Sequence, residues 1–138
     1  MRRMNPAVGD VVQLPLPDGR YAYGRVLRDA SVAFYRSTSR GPGSPPIGSR
    51  DYQFVVGVYK DVLRSDAVPI VGHDPSRDAE DDWPPPYSVR NHVTGRVSLY
   101  HHGVMRPAQE DEVRGLEPAA VWALNHLVDR LMGVQRGN

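Results

Sequence analysis

Gly9-Asp10-Val11-Val12-Gln13-Leu14-Pro15-Leu16-Pro17-Asp18-Gly19-Arg20-Tyr21-Ala22-Tyr23-Gly24-Arg25-Val26-Leu27 reads as two β-strands joined by a tight turn. The turn has a mechanism. Pro17 presets φ, the Asp18 side chain bonds back to the backbone, and Gly19 takes positive φ. In the returning strand Tyr21, Tyr23 and Arg25 point to one face; Ala22, Gly24 and Val26 point to the other. Gly24 inside a strand marks a close approach or a bend.

Working outward, Ser31-Val32-Ala33-Phe34-Tyr35 predicts a third strand. Residues 37–50, rich in Ser, Gly and Pro, form a long flexible loop inside the domain. Tyr52–Tyr59 is β-prone and apolar on both faces, and is expected to be the most buried strand. Val68–Gly72 is a weaker strand that Pro69 places at an edge. A Pro-rich acidic loop follows over about 74–87, with Trp83-Pro84-Pro85-Pro86-Tyr87 extended. Ser88–Arg90 and Arg96–Tyr100 pair as a late hairpin, and Val104–Pro107 is a short extended piece. The last element is a helix over roughly 118–132. Pro118 suits its first position and Glu117 its positive end. Ala120, Leu124, Leu127, Val128 and Leu131 make its apolar stripe, and Gly133 suits its C-terminal cap. The sum is a mainly β (α+β) chain with one C-terminal helix. A strongly bent, SH3-like antiparallel partial barrel leads, with an open α+β sheet as the alternative.

The bulk properties narrow the function. The 138 residues fit a single domain, 1–138. There are no cysteines, so disulfides and thiolate chemistry are excluded. No stretch approaches the roughly 20 apolar residues of a membrane span, and Met1–Pro6 leads into no apolar run of a secretory signal. A cytoplasmic protein without a membrane role is expected. Charge is nearly balanced, with 17 basic and 16 acidic residues. A dedicated nucleic-acid binder is usually more basic.

Candidate chemistry is sparse. His101 and His102 are adjacent, and adjacent residues on a strand point to opposite faces, so the pair is not expected to chelate one metal together. No serine sits in a nucleophile-elbow context, and Gly41-Pro42-Gly43-Ser44 lacks the Lys-Ser/Thr end of a phosphate loop. Catalytic residues, cofactor and metal are therefore all expected to be none. The acidic run Asp78, Glu80, Asp81 and Asp82 has two readings. It is either a solvated loop or an anionic patch that, beside the aromatics Trp83 and Tyr87, suits a protein interface. Glu110, Asp111 and Glu112 form a second acidic run. Arg20, Arg25 and Arg28 with Tyr21 and Tyr23 could bind single strands, but arginines covering aromatic faces in water is the favoured reading. Trp122 is expected at the core or its edge.

The stretch from Gly9 to Leu27 closely resembles the opening of immunity protein 26 family members of bacterial polymorphic toxin systems. Arg106-Pro107-Ala108, Gly115-Leu116-Glu117, Ala119-Ala120-Val121-Trp122 and Asp129-Arg130 resemble their ending. The resemblance spans about residues 8–132, and nothing is carried over from 36–85. It implies a non-enzymatic partner of a cognate toxin, often a nuclease, which it neutralises by occluding the active surface. It transfers no catalytic residues. Gly9, Asp10, Gly19, Gly24 and Trp122 read as fold determinants. The expected toxin-binding set is Asp78, Glu80, Asp81, Asp82, Trp83, Tyr87, Glu110, Asp111 and Glu112. The alternative function is a small-barrel nucleic-acid-binding or regulatory module.

Overall fold

The computed structural model describes residues 5–133. Met1-Arg2-Arg3-Met4, part of the segment read for a leader, lies outside them. The elements in chain order are β1 (Asp10–Pro15), β2 (Tyr21–Val26), β3 (Ser31–Tyr35), β4 (Tyr52–Val58), α1 (Lys60–Arg64), β5 (Ile70–His73), a 3-10 turn (Glu80–Asp82), β6 (Tyr87–Arg90), β7 (Val97–His101), β8 (Val104–Pro107), α2 (Glu110–Val113), β9 (Val121–Trp122) and α3 (Leu124–Leu131). They build a six-stranded sheet in the order β5-β1-β2-β3-β4-β9 and a three-stranded sheet β6-β7-β8. The architecture is mainly β with a C-terminal helix, an open arrangement and not a closed barrel.

The opening hairpin forms as its residues dictate. Gly19 sits at φ +88°. Its N–H donates to the Leu16 carbonyl at 3.0 Å, and Asp18 Oδ1 accepts the Arg20 N–H at 3.1 Å. The strands then pair antiparallel from Val11 opposite Arg25 to Pro15 opposite Tyr21. Pairing continues antiparallel through β3 to β4, with a bulge between Phe34 and Tyr35. Such irregularities bend a sheet locally. At one edge lies β5, as Pro69 suggested; at the other, the two residues of β9 pair parallel to Gly57 and Val58.

Both faces of the large sheet are covered, by different materials. On the first, Val12, Leu14, Ala22, Val26, Val32, Phe34, Phe54, Val56 and Val58 pack with Leu127 and Leu131 of α3. Gly24 belongs to this face. A Cβ there would lie 2.5 Å from Val32 Cγ1, so the strand needs glycine for room. On the second face Val11, Tyr23 and Tyr35 form a smaller apolar cluster with Tyr21, Tyr52 and Val71. Loop 37–50, expected to be flexible, lies here and is stitched down. The Gly43 N–H donates to Gln13 Oε1 at 2.6 Å, the Ser44 N–H to the Tyr23 hydroxyl at 3.1 Å, and Ser39 Oγ shares a 2.7 Å bond with that hydroxyl.

Two expectations are corrected. The most buried strand is β3, all five residues of which are buried, not Tyr52–Tyr59. The central strand β3 is flanked along its length, whereas β4 has only the two-residue β9 on its outer side. The helix begins at Leu124, not at 118. Pro118 instead bridges Ser88, the Ala119 N–H donates to the Ser88 carbonyl at 2.8 Å, and Val121–Trp122 are spent on β9. Ala120 is therefore outside the helix, while Leu127 and Leu131 are buried. Glu117, placed for the helix dipole, makes a bidentate pair with Arg130 at 2.8 and 2.9 Å. The Arg130 guanidinium lies over Phe54 and Trp122, so Trp122 sits at the core edge as expected. Gly133 follows α3 at φ +75° and donates to the Arg130 carbonyl, a C-terminal cap. No helix among the described residues is long and apolar enough to cross a membrane.

The small sheet leans on the large one through polar contacts. Ser31 Oγ and the Tyr87 hydroxyl are 2.8 Å apart, and the Tyr100 hydroxyl donates to Asp29 Oδ1 at 3.1 Å. Between β7 and β8 the chain turns in two residues. His102 and Gly103 both have positive φ, +52° and +76°, as a tight I′-type hairpin requires. The sequence shows this hairpin only as a short extended piece.

Candidate functional site

Arg25 organises the second face of the large sheet. Strand alternation sends its side chain to the same side as Tyr23, where loop and acidic segment close over it, and its exposure is 0%. It does not cover an aromatic in water, as the favoured reading held. A guanidinium is always charged and must find acceptors for its N–H groups when buried. Nε donates to the Asp74 carbonyl and Nη1 to the Asp81 carbonyl, both at 2.9 Å. Nη2 donates to Asp82 Oδ1 at 3.0 Å and to Ser76 Oγ at 3.3 Å. The chain from Asp74 to Asp82 is thus wrapped around one buried cation.

Arg50 closes the same network from the end of loop 37–50. It grips Asp81 through Nε at 2.8 Å and Nη2 at 2.8 Å, and reaches Asp74 Oδ2 through Nη1 at 2.9 Å. Asp74 is itself buried, and the same Oδ2 accepts the Tyr35 hydroxyl at 2.6 Å and the Gly48 N–H at 3.0 Å. The titration behaviour follows. The Arg50 hydrogen bonds hold the Asp81 carboxyl down at about 2, against the opposing effect of burial. Burial pushes Asp74 up, but the bonds from Tyr35, Gly48 and Arg50 outweigh it and the net shift is downward. Asp82 behaves alike: burial raises it, and Ser76 and Arg25 bring it below its ordinary value. All three carboxylates are held ionised.

The acidic run is therefore split. Asp81 and Asp82 turn inward and are structural partners of Arg50 and Arg25. Asp78 and Glu80 are exposed, and Asp78 Oδ1 accepts the Asp81 N–H at 2.9 Å, which fixes the 3-10 turn. Trp83 is half-buried, with the Arg28 guanidinium 5.5 Å from its ring centroid and the His102 ring at 4.5 Å. Tyr87 is buried at 4% exposure, and burial pushes its hydroxyl up to about 12. Asp78, Glu80 and Trp83 thus share one rim segment, whereas Tyr87 is buried with its hydroxyl 2.8 Å from Ser31 Oγ. The second acidic run lies on α2. Glu110 forms a bidentate pair with Arg90 at 2.8 and 2.9 Å, and Glu112 pairs with Arg106 and accepts the Gln109 N–H. Asp111 is exposed.

His101 and His102 also come to this rim, contrary to the opposite-face expectation. The reason is local. His102 has left the strand and sits in the hairpin turn at φ +52°, so alternation no longer applies. The two rings lie 4.0 Å apart by centroids. His102 Nε2 is 2.9 Å and His101 Nε2 3.6 Å from Glu80 Oε2. The Arg-Tyr hairpin, by contrast, offers no open platform for a nucleic-acid strand, because Tyr23 and Arg25 have no exposure. Arg25, Arg50 and Asp74 were missing from the expected set. Alternation gives the face of Arg25, but not what covers that face. His102-Gly103 between two β-prone runs was the available sign of a tight turn.

The chain belongs to the Immunity protein 26 family, whose model matches residues 7–96. It is an immunity protein. The match includes 36–85, from which the resemblance carried nothing, and stops short of the Arg106–Arg130 end that the resemblance included. No curated protein and no solved structure matches the chain.

Proposed function

We propose that this immunity protein acts in the cytoplasm of the producing cell, where it binds a cognate toxin domain of a polymorphic toxin system and neutralises it by covering its working surface. A nuclease effector is the target that the charge of the rim suits. Such an enzyme presents positive charge where it holds phosphates. A carboxylate-bearing rim docked there competes with the nucleic acid. The observation that carries this reading is the bracing of the rim. Asp78, Glu80 and Trp83 stand on a segment whose inner side is held by Arg25 and Arg50. A surface fixed before encounter avoids the ordering cost that a mobile loop bears on binding. Carboxylates at the rim speed association, and Trp83 supplies the aromatic anchor. Asp111 extends the acidic character on α2.

The test is a titration of toxin activity with the purified protein, using the toxin domain encoded beside it. The account expects nuclease activity to fall to background at one equivalent, with a one-to-one complex on gel filtration. Full activity in the presence of excess protein would rule the proposal out, and inhibition of a toxin that does not cut nucleic acid would remove the nuclease assignment.

A further inference from the structure

We propose that Glu80, His101 and His102 form a binding site for a divalent transition-metal ion of the zinc class. Their donor atoms, one per residue, all lie within 4.8 Å of one another. Zinc held at about 2.0–2.1 Å by tetrahedral ligands has ligand atoms roughly 3.3 Å apart. The two nitrogen–oxygen separations, 2.9 and 3.6 Å, bracket that value. Two imidazoles and one carboxylate are a donor set zinc uses with a fourth position left for water. Nitrogen donors favour transition metals over magnesium and calcium, which take oxygen.

The three backbones are set independently of any ion. His101 ends β7 opposite Val104, and His102 occupies the turn at positive φ. Glu80 opens the 3-10 turn, in which the Trp83 N–H donates to the Glu80 carbonyl at 3.1 Å, and the Arg28 N–H ties that turn to the end of β2 through the Asp82 carbonyl at 2.8 Å. Trp83 packs its ring against His102. A bound ion would join the small sheet, which carries the histidines, to the segment wrapped on the large sheet, which carries the glutamate. Because binding is to the folded chain, it raises the melting temperature, by an amount that grows with the logarithm of the ratio of free ion to dissociation constant. The site needs no toxin, so its test is separate from that of the proposed function.

The experiment is isothermal titration of the untagged, full-length protein with Zn2+, with Mg2+ and Ca2+ as comparisons, and a melting curve with and without Zn2+. One equivalent of Zn2+ is expected to bind and raise the melting temperature, with no response to Mg2+ or Ca2+. His101→Ala, His102→Ala and Glu80→Gln should each weaken binding by at least roughly tenfold, since loss of even an outer partner costs 10–100-fold at such sites. His126→Ala, at an exposed position on α3, should leave binding unchanged. The three variants change partly or fully exposed side chains, and a wild-type melting curve without metal confirms that each folds. Absence of Zn2+ binding, or binding that survives all three variants, would overturn the site and leave His102 and Glu80 as a simple hydrogen-bonded pair.

Discussion

Arg25 is the residue on which the polar side of the molecule depends. It is fully buried, and its partners come from a segment some fifty residues away in sequence. Removing one member of such a network leaves charges without their counter-ion, a loss on the order of 3–5 kcal/mol. Arg25→Met should therefore lower the denaturant midpoint steeply, whereas Arg36→Met, whose pair with Asp51 is exposed, should stay within about 0.5 kcal/mol of wild type. Equal midpoints for the two would show that the network carries no stability. Gly24 makes a second test at this scale. Its added Cβ would press on Val32, an overpacking cost of roughly 1–3 kcal/mol. In a double-mutant cycle Gly24→Ala and Val32→Ala should couple favourably, because the second change makes room for the first. Strict additivity would place the strain elsewhere.

At the scale of elements, the decisive contact is α3 on the first face of the large sheet. Leu127 is fully buried there, and Leu127→Asp should cost several kcal/mol as a charge without a partner. His126→Asp, on the exposed side, should melt close to wild type. If the two variants melt alike, α3 is not docked on the sheet. The helix, the opening hairpin and the edge position of β5 were readable because each is written in local periodicity or turn chemistry. The start of α3 was not. Pro118 and Glu117 suit a helix N-terminus equally well, and only their pairing with Ser88 and Arg130 decides against it. Burial of β3 over β4 depends likewise on which strands flank them. The rim was legible in part. The run of acids was visible, but which of them face inward depends on Arg25 and Arg50, and no local pattern links those positions to 74–82.

At the scale of the whole molecule, the network sets how the fold responds to acid. The folded-state value of Asp81 is held down at about 2, against an ordinary 3.8. A depressed carboxyl contributes stability that is present above its unfolded value and lost as pH falls toward its folded one. Stability should thus hold from neutral pH to about 4 and drop between roughly 4 and 2, with Asp74 and Asp82 acting in the same direction. Asp81→Asn should be less stable at neutral pH and show a shallower fall over that window. A parallel fall in both proteins would assign the acid transition to other groups.

The same division between inward and outward carboxylates makes the central claim testable in solution. Asp78→Asn with Glu80→Gln removes the outward charges and leaves the Arg25 and Arg50 contacts in place. The most direct measurement is the association rate of this double variant with the cognate toxin at two salt concentrations, beside wild type and Trp83→Ala. The account predicts slower association with a shallower salt dependence for the double variant, faster dissociation for Trp83→Ala, and unaltered melting of the double variant in metal-free buffer. An unchanged association rate and salt slope, with dissociation of Trp83→Ala equal to wild type, would contradict it and place the toxin on another face.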